Sequence, residues 1–195
     1  MIIRRYVEHD ETGWVRCRVL SFLNTAYFDN VLKSKEHYGN PSIELIAEAD
    51  NMIVGLLDIE CDTNEIRVCS ERPGLGGMIW HIAVHPDYRN RGIASALLNK
   101  GVELCKERGI ERLEAWTRDD DWVTRWYENR GFNIIDSYLH VFLDGGKDFR
   151  KSIECKIPGM MFVQGFAHYV GNEPDRIVNM FSRVHRCQLY ELLIT

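Results

Sequence analysis

The sequence predicts a mixed α/β fold, with strand hairpins toward both ends and a strand–turn–helix unit between them. Three observations carry this reading. The stretch "IELIAEADNMIVGLLDIE" places two apolar runs on either side of Asp50-Asn51, a turn pair that tolerates left-handed backbone. "MIWHIAVHPDYRNRGIASALLNKGVELCKERG" passes from an apolar strand through a basic turn into a long amphipathic helix. "FNIIDSYLHVFLD" and "MMFVQGFAHYV" form a second pair of extended runs, separated by a glycine-containing segment.

The elements follow in order. Ile2–Arg5 reads as a short first strand. Asp10 stands as a cap before a helix over Glu11–Phe22, where Trp14, Val15, Val19 and Phe22 recur at helical spacing. A second short helix is expected over residues 28–34, broken by Gly39-Asn40-Pro41. Residues 43–49 and 52–60 are the hairpin strands, and Arg72-Pro73-Gly74 with Leu75-Gly76-Gly77 is a loop. The central strand covers residues 78–84, and its helix covers 92–108. Ile93, Leu97, Leu98, Val102 and Cys105 form that helix's apolar face, and Gly109 stops it. Residues 112–117 read as a strand. Asp119, Asp120 and Asp121 favour a helix N-terminus over 122–130, with Gly131 as its stop. The late strand pair, a short helix from Glu173-Pro174-Asp175 and a final strand or extended tail at "CQLYELLI" complete the chain.

The 195 residues suit one domain, with residues 144–195 as a less typical C-terminal portion. At 45% apolar residues the chain has enough core material without disulfides or metals, and a net charge of −5 argues against a nucleic-acid partner. No apolar run reaches membrane-span length, and the N-terminus lacks the apolar core of a signal peptide. The six cysteines are scattered, with no CxxC pair and no zinc-ligand spacing. The expectation is a cytoplasmic protein with reduced thiols, no metal and no membrane partner.

The basic turn carries the chemistry. A helix start presents backbone N–H groups without intrahelical partners and a partial positive charge, so it suits phosphate. Gly92 allows close approach of a ligand, Ala94 and Ser95 are small, and Arg89 and Arg91 add charge at the rim. Pro86 ends the strand. The stretch is built like a pyrophosphate cradle. It contains neither G-x-x-x-x-G-K-[ST] nor G-x-G-x-x-G.

Arg89-Asn90-Arg91-Gly92-Ile93-Ala94 matches [QR]-x-x-G-x-[GA], and "WYENRGF" from Trp126 to Phe132 matches Y-E-x-x-G-F. On these two motifs, in this order and on these elements, the chain resembles the GNAT superfamily of N-acetyltransferases, over residues 2–142. The resemblance implies a central mixed, mostly antiparallel sheet of about seven strands, splayed in the middle and flanked by helices. It implies acetyl-CoA as co-substrate, held in the opening between two strands. By position, Ile82, Ala83 and Val84 would offer main-chain groups to the pantetheine and thioester. Asn90, Arg91, Gly92, Ile93, Ala94 and Ser95 would hold the pyrophosphate, with charge from Arg89 and Arg91. Tyr127 aligns with the tyrosine that often protonates the departing thiolate, with packing beside Trp126 and Phe132 as the alternative.

Two positions depart from the pattern. The usual sites of a general base, two and four residues before Ile82, are Trp80 and Met78, and neither is a base. His81 alternates to the other face of the strand unless a bulge re-aims it, and reads as structural, with a general-base role as the functional alternative. Asp120 stands where many members have a cofactor-contacting asparagine. It reads as a helix-start carboxylate, with cofactor contact or attraction of a cationic amine as the functional alternative. Cys105 reads as a buried structural thiol.

The implied function is acetyl-CoA-dependent transfer of an acetyl group to a primary amine, by direct attack in a ternary complex. The acceptor is a small-molecule amine or a protein amine. Glu71, Asp29 and Glu36, in segments expected to wall the acceptor site, point to a cationic small molecule. The alternative is a non-catalytic acyl-CoA-binding sensor or interaction module. Edge pairing of the C-terminal strand is expected to give a homodimer.

Overall fold

The computed structural model describes residues 1–145, 148 and 153–194. The parts of the C-terminal portion at 146–147, 149–152 and 195 lie outside the described residues. Eight strands form one sheet in the order β1-β2-β3-β4-β5-β8-β6-β7. The strands are β1 (Ile2–Arg5), β2 (Ser42–Ala49), β3 (Met52–Cys61), β4 (Gly76–Val84), β5 (Arg112–Thr117), β6 (Asn133–Asp144), β7 (Gln164–Tyr169) and β8 (Arg183–Leu193). Neighbours pair antiparallel except β4 and β5, which are parallel.

The hairpin of β2 and β3 turns on Asp50 and Asn51, both left-handed with φ of 52° and 58°. Two such residues give the primed turn whose twist matches the flanking strands. Helix α1 (Glu11–Phe22) buries Trp14, Cys17, Arg18 and Ser21, a stripe at helical spacing, against one face of β3 and β4. Asp10 stands at its N-cap position but, contrary to expectation, makes no side-chain cap bond to the helix; its carboxylate accepts two bonds from the Arg4 guanidinium and one from the Val7 N–H.

Helix α2 (Ile93–Glu107) covers the other face through Ile93, Leu97, Leu98, Gly101 and Cys105. It lies close to the sheet because Gly101 has no side chain. A Cβ there would stand 2.7 Å from Leu57 Cδ2. Helix α3 (Asp121–Glu128) joins the same layer, and α4 (Pro174–Met180) precedes β8. The larger core cluster fills the α2 side with Leu57, Ile59, Leu113, Ala115, Tyr127 and Tyr190 among its members. A smaller cluster of Trp14, Cys17, Ile46, Leu56 and Ala83 lies under α1.

Two expectations are corrected. Residues 28–34 form turns and irregular chain, not a helix. Phe28 and Val31 remain 51% and 60% exposed, so the segment offers no apolar stripe to bury. It is held by side chains instead: Arg18 donates to the Asn30 carbonyl and side-chain oxygens at 2.9 and 3.1 Å. The final strand forms, as one of the two expected alternatives, but it is not an edge. β8 runs between β5 and β6 and pairs with both, burying Cys187, Leu189 and Tyr190. The edge strands are β1 and β7, so the premise of dimerisation through an exposed final strand does not hold.

Candidate active site

The parallel pair β4 and β5 opens like a V. It is joined through Gly76↔Arg112, Gly77↔Leu113 and Met78↔Glu114, and beyond Met78 the strands diverge. β4 continues with β3 to Val84, and β5 continues with β8 to Thr117. From Ile79 onward, the β5-facing edge of β4 has no strand partner, so its backbone groups are available in the cleft. The expected bulge is present: Asp58 pairs with His81 and Ile59 with Ile79, leaving Trp80 as the extra residue. The residues past it are Ile82, Ala83 and Val84. Ile82 and Val84 turn to the α2 core, and Ala83 to the α1 core.

The basic turn follows β4 directly. Asn90 and Gly92 both take left-handed backbone, at φ of 61° and 77°. No side chain caps the start of α2. A Cβ built on Gly92 would meet nothing within 4 Å. The glycine is therefore demanded by backbone conformation and not by crowding, and the first N–H groups of α2 have no side-chain cap. Ile93 is buried against the core, while Ala94 and Ser95 face outward only in part. These features fit a diphosphate ligand.

The arginine side chains play a different part from the backbone. Arg89 donates to the Ser21 carbonyl at 2.7 Å and lies over the Trp122 ring, tying the turn to α1 and α3. Arg91 folds back to the Asp87 carbonyl at 2.9 Å and lies over Tyr88. A third cation, Arg130, stacks on Trp126 at 4.2 Å and donates to the Ser95 hydroxyl at the first turn of α2. Apart from its place inside "WYENRGF", Arg130 carries no sequence signal, because the contact depends on how α3 lies beside α2.

Tyr127 is 4% exposed on α3. Its ring stacks on Tyr190 at 5.2 Å and meets Trp126 and Phe132 edge-on. Burial pushes its hydroxyl pKa up, so the phenol stays protonated across the physiological range. Asp120 precedes α3 without capping it through its side chain. The carboxylate reaches instead to the Ala26 N–H at 2.9 Å and helps hold the segment between α1 and β2.

That segment, residues 23–41, lies over the α1 side of the sheet. Asp29 is paired with Arg183 at 2.8 Å, so its charge is locally balanced. Lys35 is 4% exposed. Its ammonium contacts Glu44 at 2.6 Å and Asp58 at 3.1 Å, among the rings of Tyr6, Trp14 and Tyr38. The next residue, Glu36, reaches His81 on β4 and keeps 46% of its side chain exposed. The hydrogen bond from His81 holds the Glu36 carboxyl below its usual range. Neither Met78 nor Trp80 supplies a titratable group. Met78 is buried, and Trp80 donates its indole N–H to Glu60 at 2.8 Å.

Across the cleft, one face of β5, β6 and β7 carries Trp116, Tyr138, His140, His168 and Phe166 in successive ring contacts. His140 is driven down to about 4 by burial and by Arg118 beside it. The loop after β3 lies at the closed end of the V, where Gly76 pairs with Arg112, away from the divergence. Glu71 in that loop is exposed. All six cysteines are free thiols, and Cys105 is fully buried on α2. Among the described residues no three metal-ligating side chains converge, and no helix is long and apolar enough to cross a membrane.

Residues 10–132 match the profile of the acetyltransferase (GNAT) family. An acetyltransferase of Sodalis glossinidius is 30% identical over 69% of this chain and 89% of its own length. An acetyltransferase of Pectobacterium atrosepticum is 30% identical over 64% of this chain and 79% of its own. Among solved structures, a ribosomal-protein-alanine N-acetyltransferase from Brucella melitensis superposes with a TM-score of 0.60 at 14% identity, covering 99% of both chains. The PaiA N-acetyltransferase of Thermoplasma acidophilum, in complex with coenzyme A, gives 0.54 at 14% identity over 69% of this chain and 91% of its own.

Proposed function

Since the chain belongs to the acetyltransferase (GNAT) family, we propose that it transfers the acetyl group of acetyl-CoA to a primary amine by direct attack in a ternary complex. The observation that carries this reading is the divergence of β4 from β5 after Met78, with the uncapped start of α2 at the open end of β4. A thioester with a diphosphate-bearing tail suits both features. The unpartnered edge past Trp80 suits an extended pantetheine, and the helix start suits the pyrophosphate. A fold neighbour in complex with coenzyme A supports the same choice of ligand.

In this reading, backbone groups of Ile82, Ala83 and Val84 orient the thioester and polarise its carbonyl. The N–H groups from Asn90 to Ser95 hold the pyrophosphate, and Arg130, through Ser95, adds positive charge beside them. Arg89 and Arg91 shape the turn and contribute to its potential, with their guanidinium groups turned to the protein. Tyr127, kept protonated by burial, is the proton donor to the departing thiolate. Fixing the two reactants supplies much of the rate. The acceptor approaches from the α1 side, between Glu36 and Trp80 on one hand and the aromatic face of Trp116 and Tyr138 on the other.

A thiol-release assay with acetyl-CoA and a panel of primary amines tests this. Turnover of at least one amine, lost in Tyr127→Phe while acetyl-CoA affinity is kept, is the expected result. Full turnover by Tyr127→Phe would remove the tyrosine from the mechanism.

A further inference from the structure

An amine acceptor arrives protonated at neutral pH and must lose a proton before it can attack. Met78 and Trp80 cannot take it. The structure places a different pair of groups beside the cleft. The bulge at Trp80 leaves His81 facing α1, 6% exposed and edge-on to Trp14 at 5.1 Å. Arg18 donates its Nε–H to His81 Nδ1 at 3.4 Å. A nitrogen that accepts carries no proton, so this network assigns the ring proton to Nε2. Nε2 meets Glu36 Oε2. Both ring nitrogens are thus engaged, and His81 has no lone pair to offer a substrate. The carboxylate of Glu36 does, because nearly half of that side chain is open to solvent.

The position of Glu36 is held from its neighbour. The Lys35 ammonium sits among Tyr6, Trp14 and Tyr38, between Asp58 and Glu44, and the Lys35 N–H donates to Glu11 at 3.0 Å. That anchor sets the loop so that the next side chain lands on β4, one residue past the bulge. Resting on the acetyltransferase reading above, we propose that Glu36 is the carboxylate that receives the acceptor's proton, with His81 as its positioning residue and Arg18 fixing the imidazole tautomer. The acceptor class that follows is a cationic alkylamine, drawn to an exposed carboxylate before it is deprotonated by it.

The balance is simple. The ammonium gives one proton to Glu36, and its lone pair forms the C–N bond to the thioester carbon. The C–S bond breaks with its electron pair on sulfur, and the thiolate takes a proton from Tyr127. The second N–H proton leaves to water; Glu36 then gives up its proton and the Tyr127 phenolate regains one from solvent, so each turnover releases one proton net. The charged and titratable groups that face Glu36 are Arg18 of α1, Lys35 and Tyr38 of its own loop and His81 of β4, with Asp58 of β3 below them.

The test uses the full chain, spermidine, a lysine-centred peptide and a peptide with N-terminal alanine. Glu36→Gln should lower kcat/KM about 100-fold at neutral pH, with acetyl-CoA affinity in calorimetry within about twofold of wild type. The defect should shrink toward about pH 9.5, where an alkylamine begins to lose its proton unaided. His81→Gln should move the acid limb of the kcat/KM profile to higher pH, and Glu36→Asp should restore part of the rate. A flat pH dependence of the Glu36→Gln defect would assign Glu36 to the structure alone. Wild-type rates in Glu36→Gln would overturn the proposal, as would a wild type that binds acetyl-CoA but acetylates none of these amines. Failure to bind acetyl-CoA would bring down the acetyltransferase reading itself.

Discussion

Tyr127 of α3 and Tyr190 of β8 stack with ring centroids 5.2 Å apart and planes 19° from parallel. The pair joins a residue of the "WYENRGF" motif to the last strand of the chain. The C-terminal portion therefore packs directly on that motif. Tyr190 is fully buried, and a large-to-small change there leaves a cavity. Tyr190→Ala should cost about 3–5 kcal/mol by analogy with buried aromatic truncations, read as a lower denaturant midpoint. Tyr190→Phe, which keeps the ring, should stay close to wild type in stability.

Gly92 separates backbone demand from steric crowding. Its φ of 77° strains any side chain, yet a Cβ would touch no protein atom. Gly92→Ala should cost about 1–2 kcal/mol through the left-handed backbone alone. The shifted backbone would also re-aim the α2 N–H groups proposed to hold the pyrophosphate. Thermal melting should show the modest loss, and calorimetry should show a larger loss of coenzyme A affinity. Equal affinity in Gly92→Ala would place the diphosphate elsewhere.

Lys35 is a buried cation between two carboxylates. Lys35→Met keeps much of the volume but leaves Asp58 and Glu44 facing each other without a counter-charge. Breaking such a pair from one side costs about 3–5 kcal/mol. The loss should appear in chemical denaturation. Lys35→Met paired with Asp58→Asn should recover part of it, since one stranded charge is removed.

His140 links pH to stability. Its folded pKa of about 4 lies below the unfolded histidine value, mainly through burial and then through Arg118, His168 and His185, against which Asp29 acts. A depressed pKa means that the fold holds the neutral ring. This contribution is complete above the unfolded value of about 6.5. It is lost as pH falls from there through about 4. The melting temperature should decline over that window, and His140→Gln should flatten the decline. An unchanged slope would mean that other groups govern it.

Local patterns made the fold readable where partners are close in sequence. The Asp50-Asn51 hairpin, the stripe of α2 and the strand–turn–helix around Gly92 each announce themselves within one or two elements. Residues 28–34 form no helix because helical composition lacks meaning without a face to bury, and Phe28 and Val31 find none. The place of β8 was not readable, since its partners β5 and β6 are chosen by the whole sheet rather than by the strand's own residues. The site divides in the same way. The cradle is one continuous stretch and stood out. Glu36 and His81 meet across two strands and a loop, and Arg130 reaches α2 only after α3 has docked. No spacing rule connects such pairs.

The proposed mechanism requires that the opening between β4 and β5, with the start of α2, hold acetyl-CoA. Calorimetric titration with acetyl-CoA, against coenzyme A, ATP and NAD, addresses it most directly. Acetyl-CoA and coenzyme A should bind with affinities of about 1–100 μM, a range ordinary for enzyme substrates, with no comparable binding of ATP or NAD. A folded sample that binds ATP or NAD as well as acetyl-CoA, or binds none of them, would contradict it.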